Sequence, residues 1–93
     1  MLKVTRILKI DSLHVTCEFN NGLVRTIDVG PIITNHSKLE GIEKLKNAET
    51  FAQVSVGVFG EIFWEKLITT TYKGKSIIWN YDISPEYILE NAI

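Results

Sequence analysis

Apolar and polar residues alternate along the first third of the chain. From Leu2 to Ile10 the even positions read Leu2, Val4, Arg6, Leu8 and Ile10, apolar at all but one, while the odd positions are mostly polar. A period of two predicts a strand with one buried face. After a turn at Asp11-Ser12, His14 to Phe19 alternates more cleanly, with Val15, Cys17 and Phe19 on one side and His14, Thr16 and Glu18 on the other. Asn20-Asn21-Gly22 supplies residues that tolerate the positive φ of a hairpin turn, and Leu23 to Val29 returns as a third strand. A three-residue loop sets Phe19 opposite Leu23 and Val15 opposite Ile27, whereas a two-residue loop would set polar Thr16 against Ile27. The first register is expected, because a slip of one residue turns every side chain of a strand over.

Gly30-Pro31 ends that strand. Ser37-Lys38-Leu39-Glu40 fits a capping box, and Leu39, Ile42 and Leu45 follow at a spacing that predicts a short amphipathic helix weakened by Gly41. Asn47 is placed to cap a second helical turn from Ala48 to Gln53, anchored by Phe51. Beyond it the pattern predicts strands at Val54–Phe59, Glu61–Trp64, Ile68–Tyr72 and Ser76–Tyr81, the last two joined by a hairpin tip at Lys73-Gly74-Lys75.

Ser84-Pro85-Glu86 then starts a closing helix. The serine hydroxyl can accept from a first-turn N–H, proline at the first helical position gives up a donor the helix cannot use, and glutamate suits the positive end of the dipole. That helix runs to about Asn91 and is too short to stand alone, so Tyr87 and Ile88 must dock it onto something apolar. The expected fold class is α+β: antiparallel sheet built from an N-terminal three-stranded meander plus later strands, with a short helical middle and a short C-terminal helix.

Composition narrows the function classes. The chain has 93 residues, expected to form one domain spanning 1–93, with 45% apolar and 23% charged residues and a net charge of −1. So balanced a charge offers no field for a polyanion, and nucleic-acid binding is not expected. No apolar run approaches the ~20 residues that cross a bilayer, and the first residues lack a signal peptide's apolar core. With Cys17 as the single cysteine no internal disulfide can form. A cytoplasmic protein without membrane association is expected.

With these elements placed, the chain resembles the bacterial domain-of-unknown-function 2442 family. The residues that carry the resemblance are Lys3-Val4-Thr5 opening the first strand, the hairpin Phe19-Asn20-Asn21-Gly22, and Asp28 shortly before Pro31. In the middle it rests on Leu45 followed by Ala48-Glu49-Thr50-Phe51, and at the end on Trp79 or Trp64 and then Asp82-Ile83-Ser84-Pro85-Glu86-Tyr87. It covers essentially the whole chain, with one departure: two tryptophans compete for a position that the family fills once, and Lys66 to Lys75 reads as an extension. The resemblance implies a small α+β domain with no assigned activity, found alone, ahead of helix-turn-helix domains, or beside small partners in toxin–antitoxin-like pairs.

Candidate chemistry is sparse. Asp28 and Asp82 each sit at a strand end with proline within three residues, and two readings stand: carboxylates lining one sheet end with His14, or caps on local backbone N–H groups, which is the commoner role of turn aspartates. His14 is expected to face Asp28. Two distant histidines and one thiol lack the spacing of a zinc site, and no nucleophile motif or glycine-rich phosphate loop is present, so neither metal nor cofactor is expected. Cys17, mid-strand on an apolar face, is expected to pack as a small hydrophobe. Trp64, Tyr72, Trp79, Tyr81 and Tyr87 crowd the last third, where core packing and a protein-facing patch both account for them. Asp28, Trp64, Tyr72, Trp79 and Asp82 are the candidate interaction or pocket residues. The expected function is a small non-catalytic protein-interaction or regulatory module that binds a protein partner or itself, with Thr69-Thr70-Thr71 as a candidate open edge. The alternative is a small-ligand-binding or accessory enzyme domain that uses the acids at a sheet end.

Overall fold

The computed structural model describes residues 1–93. The six strands divide into two three-stranded antiparallel sheets. The first contains β1 (Val4–Asp11), β2 (His14–Phe19) and β3 (Val24–Asp28) in that order. The second contains β4 (Ser55–Val56), β5 (Ile62–Tyr72) and β6 (Lys75–Ile83). Between them lie helix α1 (Gly30–Asn35), a 3-10 turn at Ile42–Lys46 and the short α2 (Ala48–Phe51), and α3 (Pro85–Asn91) closes the chain. This is a small α+β fold.

The β2–β3 register is the one the three-residue loop demands: Val15 pairs with Ile27, His14 with Asp28, and the Phe19 N–H donates to the Leu23 carbonyl at 2.8 Å. Gly22 takes the positive φ, 87°, that the turn requires. Strand β1 departs from strict alternation. Register shifts between Val4 and Arg6 and between Ile7 and Lys9 insert extra residues, so Val4, Ile7 and Ile10 are the ones that face Phe19, Cys17 and Val15. Each bulge turns the following residues over, which is why Leu8, expected inside, is 44% exposed.

The helical middle also differs from its pattern. A helix starts directly at Gly30, with Pro31 in its first turn and the Asp28 carboxylate accepting the Gly30 N–H at 2.9 Å. Proline there both ends a strand and begins a helix. The capping-box stretch Ser37–Glu40 forms turns instead of a helix. The cause is tertiary: Gly41 has φ 107°, and a Cβ there would lie 2.1 Å from the Leu67 carbonyl oxygen. The backbone at Gly41 presses against β5, no side chain fits, and a helix cannot continue through that geometry. Asn47 does cap α2, its side chain accepting the Thr50 N–H at 3.1 Å.

Strand β5 runs unbroken where two strands were expected. Trp64 pairs with Tyr81 and Ile68 with Trp79, so Glu65, Lys66 and Leu67 bulge opposite Asn80 alone. Lys66 takes a positive φ of 52°, and its N–H is satisfied by the Asn80 side chain at 3.0 Å. Of the expected Val54–Phe59 strand only Ser55–Val56 pairs; Val58 and Phe59 project from a turn held by the Glu61 carboxylate, which accepts the Phe59 N–H.

One core of 18 buried apolar residues joins the two sheets. Val15, Cys17, Phe19 and Ile27 come from the first sheet, Ile62, Trp64, Ile68 and Ile83 from the second, and Ile32, Ile33, Phe51 and Ile88 from the helices. The Val4 N–H donates to the Gly60 carbonyl at 2.9 Å, tying β1 to the second sheet, and the Ile93 N–H donates to Thr26, tying the C-terminal segment to β3. As expected, Ser84 caps α3 by accepting the Tyr87 N–H, and Ile88 is fully buried. No helix is long and apolar enough to cross a membrane.

Candidate functional site

The hairpin of β5 and β6 leaves the body of the protein. Every residue from Thr70 to Asn80 is exposed. The molecule measures 46 × 26 × 21 Å. Its radius of gyration of 13.5 Å exceeds the ~12.3 Å of a compact chain this long. Lys73-Gly74 makes a tight two-residue tip, both in the left-handed region with φ 51° and 76°, matching the twist of the strands.

The arm carries the core's apolar face out into solvent. Ile62 pairs with Ile83 and Trp64 with Tyr81, and on the same face Ile68 pairs with Trp79 and Thr70 with Ile77. The inner members of this row are buried, apart from the half-buried Tyr81. Farther out, Trp79 is 52%, Ile77 43% and Tyr72 67% exposed, and Ile78 on the opposite face is 58% exposed. The Trp79 indole N–H donates to the Thr70 hydroxyl at 2.8 Å, so the ring lies across the arm instead of folding back onto the core. Lone exposed apolar residues are ordinary, but a contiguous run of them on a protruding element is not.

Both edges of the arm can be followed. The Thr69 N–H donates to the Glu40 carbonyl at 2.9 Å, so the threonine edge proposed from the sequence is partly occupied. Strand β6 is the outermost strand of its sheet, and no backbone hydrogen bond links Lys75–Ile83 to any element other than β5. It has no proline, and the bulge that would twist an edge away lies on β5.

The two tryptophans separate cleanly. Trp64 is 1% exposed, donates its indole N–H to the Phe51 carbonyl at 2.9 Å and packs between Phe51 and Tyr81. It is a core residue, and Trp79 and Tyr72 are the ones left at the surface.

The two aspartates also part company. Asp28 caps Gly30, and its other oxygen lies 3.7 Å from His14 Nε2 in a half-exposed pair worth little, of order 0–1 kcal/mol. Asp82 is exposed and makes no hydrogen bond within the chain. It lines two clefts, one of about 310 Å³ with Ile32, His36, Tyr81 and Tyr87, the other of about 300 Å³ with Glu61, Phe63 and Asn80. No cleft is lined by both Asp28 and Asp82, so the carboxylate pair of the alternative reading shares no cleft. The histidine that shares the first cleft with Asp82 is His36, whose Nδ1 lies 3.0 Å from the Tyr81 hydroxyl. Burial, helped by the neighbouring Tyr87 and Asp82, raises Tyr81 above the ordinary phenol range. His36 and Tyr81 are 45 positions apart and no local pattern joins them. No three His, Cys, Asp or Glu side chains cluster as a metal site would need. Burial pushes the Cys17 thiol up to about 11, the opposite of a reactive thiolate.

Compared with known proteins, the chain matches no family model, no curated protein and no solved structure.

Proposed function

We propose that the chain is a small non-catalytic protein-interaction or regulatory module of the cytoplasm, and that its contact element is the β5–β6 arm. The observation that carries this reading is the apolar row that begins at buried Ile62 and Trp64 and continues uncovered through Trp79, Ile77 and Tyr72. A row of that kind lowers solubility unless something covers it, and an open β6 edge beside it supplies backbone groups for a partner strand. The resemblance to the bacterial unknown-function 2442 family points the same way, since its members occur beside helix-turn-helix domains and in toxin–antitoxin-like pairs. The test is a triple replacement, Tyr72→Ser with Ile77→Ser and Trp79→Ser. It should abolish the protein's association, with itself or with a partner, at a nearly unchanged melting temperature. Retention of association by the triple variant would remove the arm from the account.

The cleft around His36, Tyr81, Asp82 and Tyr87 supports a second reading, a small-ligand site. Four polar side chains around an apolar floor are what such sites present. Ligand-induced chemical-shift changes confined to these residues would favour it over the arm.

A further inference from the structure

We infer that the occupant of the β6 edge is a second copy of this chain, paired antiparallel with the first so that two three-stranded sheets become one of six strands. The inference rests on the reading of the arm as a contact element and names its partner.

The backbone shows which groups are on offer. In an antiparallel ladder, residues whose N–H and C=O do not serve one neighbour point them to the other side. Thr69 spends its N–H on Glu40, so the Thr69–Ile78 pair is a non-hydrogen-bonded one. Ile78, and by alternation Ser76, therefore turn their N–H and C=O to the open side of β6. Two identical strands related by a two-fold axis perpendicular to the sheet must place some residue opposite its own copy. Ile78 lies near the middle of β6 and carries outward-facing groups, which makes it that residue.

The side chains agree with this register. With Ile78 on the axis, Ile77 faces Trp79 of the second copy, an aromatic–β-branched pair of the kind that stabilises sheets. Gly74 falls opposite Asp82 of the second copy, so the lysine-bearing tip Lys73–Lys75 lies beside the end of the second strand that carries Asp82, with Lys75 on the opposite face from that carboxylate. The strand thus carries positive charge at one end and negative charge at the other. Antiparallel self-pairing brings unlike ends together, while parallel pairing would bring like ends together. A net charge of −1 leaves two copies with no long-range repulsion to overcome. The apolar side chains at that edge are also available: Ile77, Ile78 and Trp79, all on β6, are each about half exposed.

The test is sedimentation of the full chain across micromolar to submillimolar concentration. Wild type is expected to sediment as a dimer. Ile78→Pro, which removes an N–H that makes no bond within the chain, should weaken self-association at least tenfold while preserving cooperative melting. Because that variant could disturb the hairpin itself, Ile78→Cys serves as a second test. Cys17 is buried, so mild oxidation of folded Ile78→Cys should give a disulfide-linked dimer across the axis. A wild type that is monomeric at every concentration, or an Ile78→Cys protein that never cross-links, would overturn the pairing. If the monomer still binds some other protein through Tyr72, Ile77 and Trp79, the second copy is wrong and the reading of the arm stands. If those residues bind nothing, both fall.

Discussion

The indole N–H of Trp64 donates to the backbone carbonyl of Phe51 across 2.9 Å of buried interior, and the two rings lie 5.5 Å apart. This one contact joins β5 to α2 and satisfies a buried indole N–H, on a carbonyl that also accepts the Val54 N–H at 3.3 Å. Trp79, two positions from the strand partner of Trp64, does neither. Trp64→Phe should therefore cost roughly 2–4 kcal/mol, combining a lost buried hydrogen bond with lost volume. Trp79→Phe should cost under about 1 kcal/mol. Urea titrations of the two variants check the contrast, and equal losses would contradict the burial of Trp64.

Glycines with similar backbone conformations should respond differently to alanine. Gly41 and Gly74 both have positive φ, 107° and 76°, but a Cβ at Gly41 would meet the Leu67 carbonyl oxygen whereas one at Gly74 would meet nothing within 4 Å. Gly74→Ala should cost about 1 kcal/mol of conformational strain. Gly41→Ala must also push β5 away from the loop, and a loss beyond about 3 kcal/mol is expected. Thermal melts of the two variants side by side are sufficient.

Stability should fall in alkali through Cys17. Its thiol titrates near 9.0 in an open chain and at about 11 when folded. Below the lower value both states hold the proton and pH has no leverage. Above it the unfolded chain loses a proton that the folded one keeps, so the folded state loses ground until the higher value is passed. The loss should reach about 1 kcal/mol by about pH 10. Tyr81, also raised, adds to the decline at higher pH. Cys17→Ala should flatten the first part of the curve, and an unchanged slope in that variant would assign the effect elsewhere.

The aspartates should separate by replacement with alanine. Asp28→Ala removes the acceptor for the Gly30 N–H and should cost about 1 kcal/mol. Asp82→Ala removes no bond within the chain and should leave the melting temperature within about a degree or two of wild type.

Local chemistry made much of the fold legible. Asn20-Asn21-Gly22 set the β2–β3 register, Asn47 and Ser84 marked two helix starts, and Lys73-Gly74 marked the arm's tip, because each acts through bonds within a few residues of itself. What escaped depends on distant partners. The β1 bulges answer to the packing of β2, and Gly41 answers to Leu67, 26 positions away. The cleft needs His36 beside Tyr81, and the arm is recognised only when the row beyond Ile68 is seen to have nothing over it. Hydrophobicity identified Trp64 and Trp79 as similar, and only the layer that covers one of them tells them apart.

The insertion at Glu65–Leu67 sets three residues of one strand against a single residue of the other, and both counts are odd. Parity therefore survives the irregularity, and the greasy side of the body and that of the arm coincide. A one-residue change there would have to be absorbed by a different bulge, as the single extra residues of β1 are, because the Lys73-Gly74 tip holds Tyr72 opposite Lys75 and Thr70 opposite Ile77. The segment is thus a joint between body and arm: its length governs how the outer strands bend away, while the tip keeps their two faces in register.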